Sequence, residues 1–112
     1  MAWFGGFTIE TYNRIPGDYE DITVADSPVG MSNSKINPHT GPYARLSARA
    51  TLISLENGDI RFRIDGGQPS LSSGHYLTSG DTLVLTGTQA IQQFRAIRSG
   101  DTDGGLRVTY FY

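Results

Sequence analysis

The run Ala50-Thr51-Leu52-Ile53-Ser54-Leu55-Glu56-Asn57-Gly58-Asp59-Ile60-Arg61-Phe62-Arg63-Ile64-Asp65 decides the fold class. At its centre stands Asn57-Gly58, the dipeptide that most favours a two-residue β-turn, because both corners of that turn need φ > 0. On either side, apolar and polar residues alternate with the period of two that marks a strand with one buried face. With the turn at the corner, the expected register sets Leu55 opposite Ile60, Ile53 opposite Phe62 and Thr51 opposite Ile64, all on one face. The other face then pairs Ser54 with Arg61, Leu52 with Arg63 and Ala50 with Asp65. Slipping the register by one residue would bury the arginines, so the alternation specifies the inward face. The expectation is an antiparallel hairpin with Arg61 and Arg63 exposed.

Downstream, Gly66-Gly67-Gln68-Pro69 breaks the strand, and a loop runs on to Gly74. His75-Tyr76-Leu77 reads as a short strand, Ser79-Gly80-Asp81 as a turn, and Thr82–Thr86 as a strand with Leu83 and Leu85 on one side. Ile91, Phe94 and Ile97 recur every three residues, which fits a helical turn near 89–92 followed by a strand. Ser99–Gly105 is a polar glycine loop. Leu106, Val108, Tyr110 and Tyr112 then alternate with Arg107, Thr109 and Phe111, as expected of a last strand tied into a sheet. Upstream, Phe7–Arg14 alternates like a strand, Pro16-Gly17-Asp18 has the chemistry of a turn, and residues 19–25 read as the returning strand. From Asp26 to Pro42 the pattern stops. Pro28, Gly30, Asn33, Asn37, Pro38, Gly41 and Pro42 leave room for neither a helix nor a central strand. Loops of that length in compact domains are uncommon and are usually functional or disordered.

The whole chain has 112 residues, one domain's worth, with 14 glycines and a β-branched complement of eleven Thr, nine Ile and four Val. Glycine punctuation between β-branched runs is the composition of an all-β fold. The expected architecture is a single antiparallel β-sandwich, or jelly-roll-like, domain over residues 1–112. It carries an N-terminal arm at residues 1–6 and an extended irregular loop at about 26–42.

Chemistry is hard to find. The absence of cysteine removes disulfides, thiolate zinc sites and cysteine nucleophiles. A net charge of −2 argues against a broad nucleic-acid or anionic-membrane footprint. No apolar window is long enough for a membrane span, and Met1-Ala2-Trp3-Phe4-Gly5-Gly6-Phe7 lacks the basic and apolar regions of a secretory signal. His39 and His75 lack metal-ligand spacing, and no Gly-x-Ser-x-Gly elbow, Walker loop or Gly-x-Gly-x-x-Gly occurs. In Asp101-Thr102-Asp103-Gly104 the glycine falls at the fourth loop position and Tyr112 at the twelfth, where an EF-hand calcium loop has its glycine at the sixth and a bidentate Glu at the twelfth, so a solvated loop is expected. No catalytic, cofactor or metal residue is expected.

Interaction is the better expectation. Eight arginines stand against one lysine, either because planar multi-donor cations suit a surface packed against neighbours or because of coding bias. Residues 1–26 carry five acids and one arginine, whereas residues 27–55 carry Lys35, Arg45 and Arg49 and no acid. That asymmetry pairs either within one molecule or head-to-tail between copies. Trp3, Phe4 and Phe7, on a glycine arm, need somewhere apolar to dock, in their own core or on a neighbour. The candidate subunit contacts are therefore Trp3, Phe4, Phe7, Lys35, His39, Arg45, Arg49, Arg61 and Arg63. Exposed aromatics keep a carbohydrate-binding module as the rival from another class.

The order of fragments from residue 46 onward is also informative. Ile60-Arg61-Phe62-Arg63-Ile64-Asp65-Gly66-Gly67-Gln68-Pro69 precedes Ser73-Gly74-His75-Tyr76-Leu77, Ser79-Gly80-Asp81-Thr82-Leu83, Phe94-Arg95-Ala96-Ile97 and the closing Leu106-Arg107-Val108-Thr109-Tyr110-Phe111-Tyr112. This series resembles small structural proteins of tailed-bacteriophage virions, from which the chain departs in its Tyr-Phe-Tyr ending and its long 26–42 loop. The resemblance implies a non-catalytic β-sandwich subunit, above all a capsid decoration or cement protein, alternatively a tail, baseplate or head-tail connector subunit. Its implied partners are the major capsid protein or other virion subunits and copies of itself, a trimer foremost, with no nucleic acid, membrane or cofactor. The implied location is the virion capsid, after synthesis in the host cytoplasm.

Overall fold

A computed structural model describes residues 15–112. The expected arm at 1–6 and strand at 7–14, with Trp3, Phe4 and Phe7, lie outside the described residues. The described chain runs β1 (Pro16–Val24), α1 (Asn33–Ile36), β2 (Ala50–Asn57), β3 (Ile60–Arg63), β4 (His75–Leu77), β5 (Thr82–Thr86), α2 (Thr88–Gln93), β6 (Arg95–Arg98) and β7 (Gly104–Phe111). Two antiparallel sheets result, one ordered β1-β7-β2-β5 and the other β4-β3-β6. The all-β antiparallel sandwich expected from the sequence is the fold.

The hairpin is not. β2 pairs with β5 and β7, and β3 pairs with β4 and β6, so no ladder joins β2 to β3. Asn57-Gly58 is instead an arch that carries the chain from one sheet to the other. Asn57 takes the expected positive φ of 73°, and Gly58 N–H bonds the Glu56 carbonyl at 3.1 Å. The inward faces were legible all the same: Thr51, Ile53, Leu55, Ile60 and Phe62 are all buried. They meet across the sandwich rather than side by side in one sheet. Ile64, beyond the end of β3, is 37% exposed.

A second correction concerns Pro16-Gly17-Asp18, which opens β1 instead of turning before it. Proline is tolerated as the first residue of a strand, where a ladder donor can be missing. The register with β7 shifts between Pro16 and Asp18. Gly17 lies so near Tyr43 and Tyr112 that a Cβ there would come within 2.7 Å of both rings. The glycine serves this close packing, and Tyr43 stacks on Tyr112 with ring centroids 4.8 Å apart.

The core lies between the sheets, where Ile22, Val24, Ile53, Leu55, Leu106 and Val108 of the larger sheet meet Ile60, Phe62, Leu77 and Ala96 of the smaller. Each fully buried aliphatic or aromatic side chain contributes about 1.5–3 kcal/mol from burial. Helix α2 closes one end with Ile91, and Phe94 just beyond it stacks on Phe62 at 5.6 Å. The proline-rich segment extends to Arg49, further than expected, and it holds one helical turn and one β-bridge, Val29 to Ala96. Four residues between Pro28 and Pro38 are enough for that turn. Met31, Ile36 and Ala48 belong to the core, so the segment is part of the globule.

Candidate functional site

The strands run between two ends of the sandwich, and the turns at those ends carry opposite charge. Val24, Asn57 and Gly104 share one register row. Ser99 N–H bonds the Asp59 carbonyl and Arg98 N–H that of Ala25, which gathers the turns at 25–27, 57–59, 78–81 and 99–103 at one end. Among the described residues that end holds Asp26, Asp59, Asp81, Asp101 and Asp103 beside Arg98, which is tied to Asp103 at 2.6 Å. At the other end Ala50 is level with Phe111 and Thr86, and Arg63 with Arg95. There, among the described residues, Lys35, Arg45, Arg49, Arg63 and Arg95 face three acids, Glu20, Asp18 and Asp65, the last two in ion pairs with Lys35 at 3.2 Å and Arg63 at 2.6 Å.

Hydrogen bonds hold the acidic end in shape and favour the ionised forms of Asp59 and Asp81. Asp59 accepts from the Tyr76 hydroxyl at 2.6 Å and the Ser79 N–H at 2.8 Å. Those bonds, the Tyr76 hydroxyl first, hold its carboxyl below the ordinary carboxylate range. Asp81 accepts from the Thr78 N–H and hydroxyl, both at 2.9 Å, and is lowered for the same reason. Gly58 backs directly onto the Thr102 carbonyl, with no room for a Cβ between them. A shallow depression of about 300 Å³ lies among Asn57, Asp59, Tyr76, Ser99, Asp101 and Thr102. Tyr76 is 52% exposed, with the Arg61 guanidinium over its ring at 5.2 Å.

The basic end is held by its own network. Glu20 Oε1 accepts from the Tyr110 hydroxyl at 2.6 Å, and its other oxygen accepts from the Ser32 hydroxyl. Lys35 meets Asp18, and the Tyr112 hydroxyl donates to the Lys35 carbonyl. Burial pushes the Tyr112 phenol up to about 12 and raises that of Tyr110 further. Asp18 of β1 and Lys35 of the loop thus pair within one molecule. A depression of about 360 Å³ between α1 and α2 is lined by Gly30, Met31, Asn33, Ile36, Gln92 and Arg95.

The sequence-derived contact residues divide into two groups. Arg61 donates to the carbonyls of Leu71 and Gly74 at 3.1 and 3.0 Å. Arg63 grips Asp65 with two donors and reaches the Gln68 carbonyl. Both arginines therefore brace the 64–74 loop, and Lys35 is spent on Asp18. His39, Arg45 and Arg49 are exposed at the basic end, and neither guanidinium of the last two has a side-chain partner among the described residues.

Sequence reasoning missed the acidic pole and Arg95. The signal was present: Asp26, Asp59, Asp81, Asp101 and Asp103 all sit in turns that antiparallel connectivity can bring to one end. Only the pairing order shows that they share it. Among the described residues, no three His, Asp or Glu side chains gather closely enough to hold a metal ion. No helix there is long and apolar enough to cross a membrane. No protein-family model, curated protein or solved structure matches this chain.

Proposed function

We propose that this chain is a non-catalytic virion structural protein, a capsid decoration or cement protein that stabilises a phage head by binding across capsid subunits. The observation that carries the reading is the segregation of charge. A rigid sandwich presents an arginine-rich end and an aspartate-rich end, each built from turns held by their own hydrogen bonds. Preorganised turns lose little conformational entropy on docking, so more of the contact energy remains as affinity. The fragment order after residue 46 supports the virion class.

The test is reconstitution. Heads lacking the protein, given the purified chain, are expected to gain resistance to heat and to low ionic strength and to retain the chain through sedimentation. Heads that neither bind nor gain resistance would overturn the decoration role. A second reading, a tail or head-tail connector subunit, is favoured by the same two poles, because oppositely charged ends suit subunits stacked in one direction.

A further inference from the structure

We infer that copies of this protein bind one another end to end, with the aspartate pole of one copy against the arginine pole of the next. This goes beyond the decoration reading, which concerns a capsid partner, and it stands on the isolated chain alone. The occupant follows from charge complementarity. After the internal ion pairs are set aside, the basic end retains Arg45, Arg49 and Arg95, and the acidic end retains Asp26, Asp59, Asp81 and Asp101, none with an ion-pair partner among the described residues. A two-fold dimer joined pole to pole would bring like charge against like. A heterologous end-to-end contact sets the three free arginines of one copy against the four free aspartates of the next.

The shapes at the two poles favour a particular meeting point. Asp101 sits exposed in the 99–103 turn, and Arg95 lines the depression between α1 and α2 beside Asn33 and Gln92. One Arg95 Nη is held by the carbonyls of Gln92 and Phe94 at 3.0 and 2.7 Å. This fixes the guanidinium plane and leaves its other donors for a carboxylate. Arginine's rigid fork suits that task better than lysine would. Arg45 and Arg49 add charge at the same end, and Leu46, 45% exposed, adds apolar area. Single exposed ion pairs are worth only about 0–1 kcal/mol. The contact is therefore weak, cooperative among several pairs and strongly dependent on salt.

The experiment uses the full chain in sedimentation velocity. Screening shortens from about 30 Å at 0.01 M salt to about 3 Å at 1 M, so the wild type is expected to associate at the lower salt and to be at least about tenfold weaker at the higher. Two variants isolate the geometry: Asp26→Asn with Asp101→Asn neutralises the acidic pole, and Arg45→Gln with Arg49→Gln neutralises the basic pole. Each alone is expected to be monomeric, and their mixture to form heterodimers that grow no further, since only one intact pole of each remains. The wild type at low salt is expected to grow beyond dimers; a wild type that stays monomeric or stops at a dimer overturns the inference, as does association that salt leaves unchanged. Either variant dimerising by itself also overturns it, because that requires a two-fold contact. The wild-type salt series decides the matter even if a variant fails to fold.

Discussion

The Tyr110 hydroxyl on β7 donates a 2.6 Å hydrogen bond to Glu20 Oε1 on the neighbouring strand β1, and the same carboxylate receives the Ser32 hydroxyl from the proline-rich segment. One glutamate thus fastens the longest irregular stretch of the described chain to the larger sheet. The charged acceptor and the burial of Tyr110 make this bond stronger than a surface contact.

Tyr110→Phe is therefore expected to lower unfolding free energy by about 2 kcal/mol, the range for losing a hydrogen bond to a charged group. Amide exchange at Ile36 and Ala48, whose N–H groups bond the Ser32 and Ile36 carbonyls, is expected to quicken. Urea unfolding and hydrogen exchange check both effects, and unchanged exchange there would show that Glu20 does not fasten the segment.

Gly58→Ala is expected to cost about 2 kcal/mol or more, because its Cβ meets the backbone of Thr102 and Asp103, which cannot move without opening the acidic end. Gly100→Ala, with nothing within 4 Å of its Cβ, is the control, expected within about 0.5 kcal/mol of wild type. Equal losses at the two positions would mean that the arch does not pack on the 99–103 turn.

Thr51 is fully buried and its hydroxyl has no hydrogen-bond partner among the described residues. Thr51→Val removes an unsatisfied polar group at little change in shape and is expected to raise stability by about 1 kcal/mol. A loss in thermal or urea unfolding would show that the hydroxyl is satisfied after all.

Stability is expected to fall at both extremes of pH. Arg63, and after it the Gly67 N–H, holds the Asp65 carboxyl at about 2, against an ordinary 3.8. Its stabilisation is present above the ordinary value and is lost as pH drops toward 2. Asp65→Asn should flatten that acid limb. Tyr112 behaves in the opposite sense. Its phenol, ordinarily at 10, is pushed up to about 12 by burial. The unfolded chain therefore ionises first, and stability declines as pH rises from 10 toward 12. Tyr112→Phe should reduce that alkaline slope, whatever its effect at neutral pH. Unfolding measured across pH checks both limbs.

The inward faces were legible in the sequence because a period of two sorts residues whichever strand lies beside them. Thr82–Thr86, His75–Leu77 and the alternation of Leu106, Val108 and Tyr110 needed nothing more. Which strands pair was not legible from Asn57-Gly58. A hairpin and an arch both need a tight corner and both bury Leu55 with Ile60, and they differ only in distant partners such as Leu106 and Leu77. The same gap hid the acidic pole, since Asp26, Asp81 and Asp101 are far apart in sequence. Arg61 and Arg63 were placed on the outer face of β3, but their service to the carbonyls of Leu71, Gly74 and Gln68 depends on how the loop folds back.

The central claim is that this chain works as a repeated building unit of a particle. Under the proposed virion role, quantitative mass spectrometry of purified particles, normalised to the major capsid protein, tests this most directly. The account predicts copies on the order of hundreds per particle, as repeated symmetric assembly requires. A chain missing from intact particles, and recovered only as free protein from the infected cell, would contradict it.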